Sequence, residues 1–303
     1  MSSEPLAKLA EEFFQASLDS SPTSAIMRGH KKYFDQIEEL TDEKFEEEME
    51  NVQNFKNSLS NIDLNSLSDK EKVTYGMLEF ALDSNYDSLV DRGWEFSAGV
   101  AGFEGFLIDY NQQMFIPDKE SGDMLLKRLE LYEKFYSQIS DVQKRGLENN
   151  RVATQRNLKR SIDQLESYLK TSPDSDPLLL VNFAPTVDKK EISEWKEKAK
   201  KVVEKYVRPN VLSYLEQLQV EHLPKGRTDE NPGIMWIEGG EEVYLRSLRK
   251  YTGHKETTVK EVHEIGLSEI ERLKKEFFEI GKDVFDGVNS PEEVLYKMQT
   301  EPS

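Results

Sequence analysis

Between Leu125 and Ile139 the apolar residues of LLKRLELYEKFYSQI return every three or four positions, as Leu125, Leu129, Tyr132, Phe135, Tyr136 and Ile139. That period lines one face of an α-helix and leaves the charged residues on the other. It predicts a helix from Asp123 to about Leu147. The same rule puts Ile192, Trp195, Ala199, Val202 and Tyr206 on one stripe of a later helix. Pro209 lacks an amide hydrogen and should kink or restart that helix before Val211, Leu212, Leu215 and Leu218. In LTDEKFEEEMENVQNFKNSL a more exposed helix turns Phe45, Met49, Val52 and Phe55 inward. Ser68 with Glu71, and Thr258 with Glu261, have the capping-box spacing that starts a helix. These signals predict an all-α fold of mostly antiparallel helices, with long ordered loops and at most a few short strands.

Three stretches interrupt the pattern. DRGWEFSAGVAGFEGFLIDYNQQMFIPDKESG mixes glycines with aromatics and suits an ordered irregular segment with a short strand. KTSPDSDPLLLVNFAPTVDKK is a Pro/Asp-rich loop around an apolar run, and a sub-boundary is expected near residues 171–190. EHLPKGRTDENPGIMWIEGGEEVY is a long turn-rich crossing. Long ordered loops in helical proteins often line a site.

Charge and composition narrow the function. With 58 acidic against 40 basic side chains the formal net charge is −18, which disfavours nucleic acid and anionic membranes as partners. Cysteine is absent, which excludes thiol catalysis, disulfides and Cys-ligated metals. The opening MSSEPLAKLAEEFFQ has neither the basic start nor the apolar core of a signal peptide, and no window approaches a membrane span. A cytoplasmic location is the expectation.

Chemistry-bearing motifs are sparse. His30, His222, His254 and His263 all lack a His, Asp or Glu three or four positions away, so no local helical metal pair exists. His263-Glu264 starts like the HExxH zinc motif, but Leu267 stands where the second histidine belongs. The plain reading is a partly buried histidine in line with Val259, Gly266, Leu267 and Ile270. Gly266 costs a helix about 1 kcal/mol relative to alanine and is expected to admit a close helix neighbour. In GIMWIEGGEEVYLRSLRKYTGH, Trp236 lies beside Gly233, Gly239 and Gly240, ahead of a helix bearing Tyr244, Leu248 and Tyr251 on one face. The glycine pair could bind an anion at the helix start. Glu241 and Glu242 already occupy that favourable end, so a tight loop with an aromatic anchor is the plainer reading. No nucleophile elbow, Walker loop or dinucleotide fingerprint is present.

The order of LPKGR, GIMWIEGGEEVYLRSLRKYTGH and TVKEVHEIGLSEIERLKKEF resembles the family catalogued as domain of unknown function 885. The matching features are Leu223-Pro224, Gly233 and Gly240, Tyr244, Tyr251-Thr252, and His263 with Gly266. Upstream, the segment around LKRLELYEKFYSQISDVQKRG and the start FFQASLDSSPTSAIMRGH are also similar. Full members look like mostly helical zinc metallopeptidases, several of them carboxypeptidase-like, with HExxH and a further glutamate ligand in the second half. The resemblance implies that residues 1–303 form the N-terminal, substrate-channel half of such a hydrolase, inactive by itself. Zinc and the peptide substrate then belong to the full-length protein, with the C-terminal half as the main packing partner. No catalytic or metal-binding residue carries over. The residues it suggests for substrate contact are Trp236, Tyr244, Tyr251 and His263. The competing class is a non-enzymatic helical module that binds a peptide or protein.

Overall fold

Helices begin where short polar side chains can accept the first free amides. Thr41 accepts from the Lys44 amide, Asp118 from Ser121, Thr154 from Asn157, and Asp188 from Lys190. Both capping boxes form, Ser68 with Glu71 and Thr258 with Glu261. The computed structural model describes residues 4–98, 108 and 113–300. Among them run α1 (Glu4–Ser20), α2 (Pro22–Met27), α3 (Asp42–Ser60), α4 (Asp69–Asp91), α5 (Lys119–Glu130), α6 (Tyr132–Glu148) and α7 (Gln155–Lys170). They continue as α8 (Lys189–Val202), α9 (Arg208–Gln217), α10 (Gly240–Thr252), α11 (Val259–Val284) and α12 (Pro291–Thr300). The only sheet among the described residues pairs β1 (Phe115–Ile116) in parallel with β2 (Asn182–Phe183). The all-α expectation holds. Most of the glycine-rich segment before β1, residues 99–107 and 109–112, lies outside the described residues.

Two units divide after Val243, inside α10. In the first, the stripe of Leu125, Leu129, Tyr132, Phe135 and Ile139 has no solvent exposure at all. The single helix expected over this stretch is two. At Leu131 (φ −72°, ψ −9°) the backbone tightens, so that its amide donates to the Arg128 carbonyl three residues back. The apolar stripe continues across the break. Residues 171–190 lie inside this unit, where Asp176 and Leu178 are fully buried.

The α-helix restarts at Arg208, with Pro209 in its first turn, as the proline predicts. The five residues Val203–Val207 widen into a π turn joining α8 to α9. The wider turn accommodates a proline that has no amide to donate and whose ring would crowd the preceding turn. The same device recurs at Leu218–His222, just before Pro224. The widened turn moves the buried face by one residue. Val203 and Val207, rather than Val202 and Tyr206, follow Trp195 and Ala199 into the core, and Val211 continues the row. Tyr214 is buried where Leu212 was expected, and Leu212 is exposed.

In the second unit, α11 and α12 pack against each other at Gly281. A Cβ there would stand 2.4 Å from Val294 Cγ2, and Val294 is 1% exposed. This contact fixes where the two helices meet.

The second π turn buries His222. Its Nδ1 faces the Gln217 carbonyl at 3.4 Å, and among the described residues its Nε2 has no hydrogen-bond partner. Burial holds the imidazole below its ordinary value of 6.5. Below pH 6.5 the unfolded chain therefore takes up a proton that the folded chain resists, and stability falls as the pH drops. The melting temperature should decline on acidification from pH 7.5 to 5.5. His222→Gln should show a shallower decline, and equal slopes would contradict this assignment.

Candidate functional site

The loop carrying Trp236 is held by arginines. Arg227 donates to the carbonyls of Val152 (2.8 Å), Asn231 (3.1 Å) and Pro232 (3.2 Å). Its own backbone bridges Thr154, with the Gln155 amide donating to the Arg227 carbonyl at 2.7 Å. At the far end Arg151 donates to the Glu238 carbonyl at 2.7 Å and to the buried Glu95 carboxylate at 2.7 Å. Arg145 also approaches Glu95, at 3.5 Å. Gly239 adopts φ +68°, and a side chain on Gly240 would lie 1.9 Å from the Ile234 carbonyl oxygen. These two glycines therefore serve a tight turn into α10. Trp236 ends a short 3-10 turn and is 50% exposed, so it does not act as a buried anchor.

In the second unit, Tyr244 and Tyr251 stand seven positions apart on α10, about two turns along one line. They are 43% and 86% exposed. His263 lies exposed on α11, not partly buried as its neighbours suggested. Among the described residues, Tyr244, Tyr251 and His263 make no hydrogen bond, ion pair or ring contact with one another. Trp236 belongs to the first unit and the other three to the second.

A shallow depression of about 620 Å³ lies in the second unit, with His254, Glu261, Glu264 and Ile265 on its wall. Its carboxylates are largely committed. Glu261 receives the Thr258 amide at 2.8 Å, which holds its carboxyl below the usual range. Glu264 faces Lys260 at 3.8 Å in open solvent. Among the described residues no group of three or more His, Asp or Glu side chains could hold a metal ion. The residues present do not fit a zinc site.

The most prominent feature of this unit is an unburied stripe. Val259, Ile270, Leu273, Ile280 and Val284 recur at helical spacing along the 26 residues of α11 and remain 43–66% exposed. Gly266 shares their face, and a Cβ on it would meet nothing within 4 Å. The expected close helix neighbour at Gly266 is therefore not found among the described residues. His263 borders the same stripe, one step round the helix. Sequence reasoning missed the Arg151, Arg227 and Glu95 clamp, because nothing in local spacing links residues so far apart.

Helix order, capping and loop supports together define an all-α protein with a second unit that presents an apolar helix face. Residues 22–303 match the family described as "Bacterial protein of unknown function", domain of unknown function 885, and the chain belongs to it. No match is found among curated proteins. The fold is similar to the crystal structure of a protein from Colwellia psychrerythraea described as a "putative lipoprotein", with a TM-score of 0.80 and 18% identity. That similarity covers 98% of this chain but 54% of the other, so the chain spans about half that length. Among the described residues no helix is long and apolar enough to cross a membrane.

The two helical glycines of the second unit should respond oppositely. Gly266→Ala should stabilise the chain by about 1 kcal/mol, because it improves helix propensity in open space. Gly281→Ala should destabilise it by about 1–3 kcal/mol through overpacking against Val294. Chemical denaturation followed by circular dichroism checks both signs. The same sign for both would contradict the packing described.

Proposed function

We propose that residues 1–303 form the substrate-channel half of a larger zinc-dependent, carboxypeptidase-like hydrolase. The observation that carries this reading is the stripe on α11, apolar along its length yet exposed, in a chain spanning about half of a solved protein of the same fold. Exposed apolar patches of this extent mark interaction sites. The occupant in this reading is the C-terminal half of the same polypeptide, which also supplies the zinc ligands and the HExxH helix. The residues in hand then bind and orient the peptide. Tyr244 and Tyr251 present exposed phenols, Trp236 an exposed indole, and His263 an imidazole at the border of the stripe. Phenol and indole rings offer stacking area together with one hydrogen-bonding atom, which suits an extended peptide. No catalytic base is assigned to this half.

The test compares residues 1–303 with the complete coding sequence. The complete protein should hold about one zinc per chain and cleave a reporter peptide, while residues 1–303 should do neither. Stoichiometric zinc with cleavage in residues 1–303 alone would overturn the reading. Peptide binding without zinc or cleavage in the complete protein would instead favour the non-enzymatic binding module.

Within the complete protein, Tyr244→Phe should lower kcat/KM several-fold with zinc content unchanged, because a single hydrogen bond is worth about 1 kcal/mol. Activity equal to the parent's would remove Tyr244 from the substrate contacts.

A further inference from the structure

A second cavity lies in the first unit, where α1, α3 and α4 converge. It holds about 380 Å³, within the range of small-molecule sites. One side of its wall is aromatic. Phe13 meets Phe55 edge-on, with ring centroids 5.7 Å apart, and Trp94 is stacked on Phe45 behind it at 4.8 Å. The rest is polar and mostly acidic, with three carboxylates (Asp19, Glu47 and Glu48) against one lysine, Lys44.

Their commitments differ. Asp19 accepts from the Tyr33 hydroxyl at 2.6 Å and pairs with Lys32 at 3.2 Å. Glu47 takes the Lys44 ammonium at 3.2 Å. Glu48 is half-buried and, among the described residues, has no cation within ion-pair distance; Ser20 is its hydrogen-bonding neighbour. Lys44, one turn back, offsets part of its charge from beyond ion-pair distance, but a carboxylate withdrawn from water with only partial compensation is costly to the fold. Burial accordingly pushes the Glu48 carboxyl above the usual carboxylate range. A titratable group shifted by burial and lining a cavity is a candidate for binding a ligand.

We propose that this cavity binds an organic ammonium carried on an aromatic or other apolar body, with the ammonium on Glu48 and the body against Phe13, Phe55 and Trp94. The acidic balance of the wall excludes an anion of the same shape. The aromatic faces add cation–π attraction to any charge drawn into the cavity. The cavity is lined wholly by first-unit residues, so the assignment stands independently of the peptidase reading.

The test titrates purified residues 1–303 with 2-phenylethylamine by calorimetry, using 3-phenylpropionate as the opposite-charge control. The amine should bind saturably at one site per chain, and the carboxylate should not. Glu48→Gln should weaken amine binding at least tenfold while raising the melting temperature at neutral pH, since the amide has no charge to desolvate. That rise separates lost binding from lost folding. Asn51→Trp, at an exposed position on the cavity wall, should block binding by filling the space and leave Glu48 in place. The proposal is overturned by an absence of saturation at millimolar amine, by equal binding of 3-phenylpropionate, or by unchanged affinity in both variants.

Discussion

Trp195, Ala199, Val203, Val207 and Val211 fall at four-residue intervals along one side of the continuous α8–α9 rod, and all are withdrawn from water. Burial of a helical face of this kind yields roughly 25 cal/mol for each Å² of apolar surface removed. In the first unit the stripes of α5, α6 and α8–α9 are used in this way, while Val73, Met77 and Phe80 of α4 stay exposed. The π turns keep the row aligned past a proline that would otherwise break it. In the second unit the same constraint is left unmet. There α11 carries an equally regular stripe, and among the described residues of that unit Val294 covers its end near Gly281. The exposed stripe of α11 is the observation that supports reading an interface on this helix.

Buried charge holds the loops that helical packing cannot. Arg128 is fully buried and reaches the Gln36 carbonyl and the Thr23 hydroxyl, while Glu38 accepts from the Thr23 amide at 2.8 Å. Asp176, also fully buried, accepts from Arg208 at 2.9 Å and from the Leu178 amide at 3.0 Å. Glu95 gathers Arg145 and Arg151, and Arg151 fixes the far end of the Trp236 loop. Removing one member of such a cluster would strand a charge in low dielectric, a loss of about 3–5 kcal/mol. These clusters act as rivets between segments distant in sequence.

Helix existence was legible in the sequence because a 3.6-residue period is a local signal. Phe45, Val52, Leu129 and Phe135 were assigned inward, and they are buried. Both capping boxes were legible for the same reason. The register just before Pro209 was not, since a π turn shifts the face by one residue and leaves no mark in composition. Neither was the exposure of His263 and the α11 stripe. Periodicity identifies an apolar face but not whether anything covers it. The Glu48 cavity was equally hidden, because FEEEME reads as a solvated acidic face until α1 and α4 fold over part of it.

The account rests on α11 being an interface for further polypeptide of the same chain. The absence of cysteine in residues 1–303 makes a single introduced thiol a clean reporter of this surface. Ile270→Cys, at the middle of the stripe, should react with a maleimide at nearly the rate of an unfolded control in dilute residues 1–303. In the complete, natively folded protein it should react many-fold more slowly. Equal, fast labelling in both would show that nothing covers α11, and the account would fail.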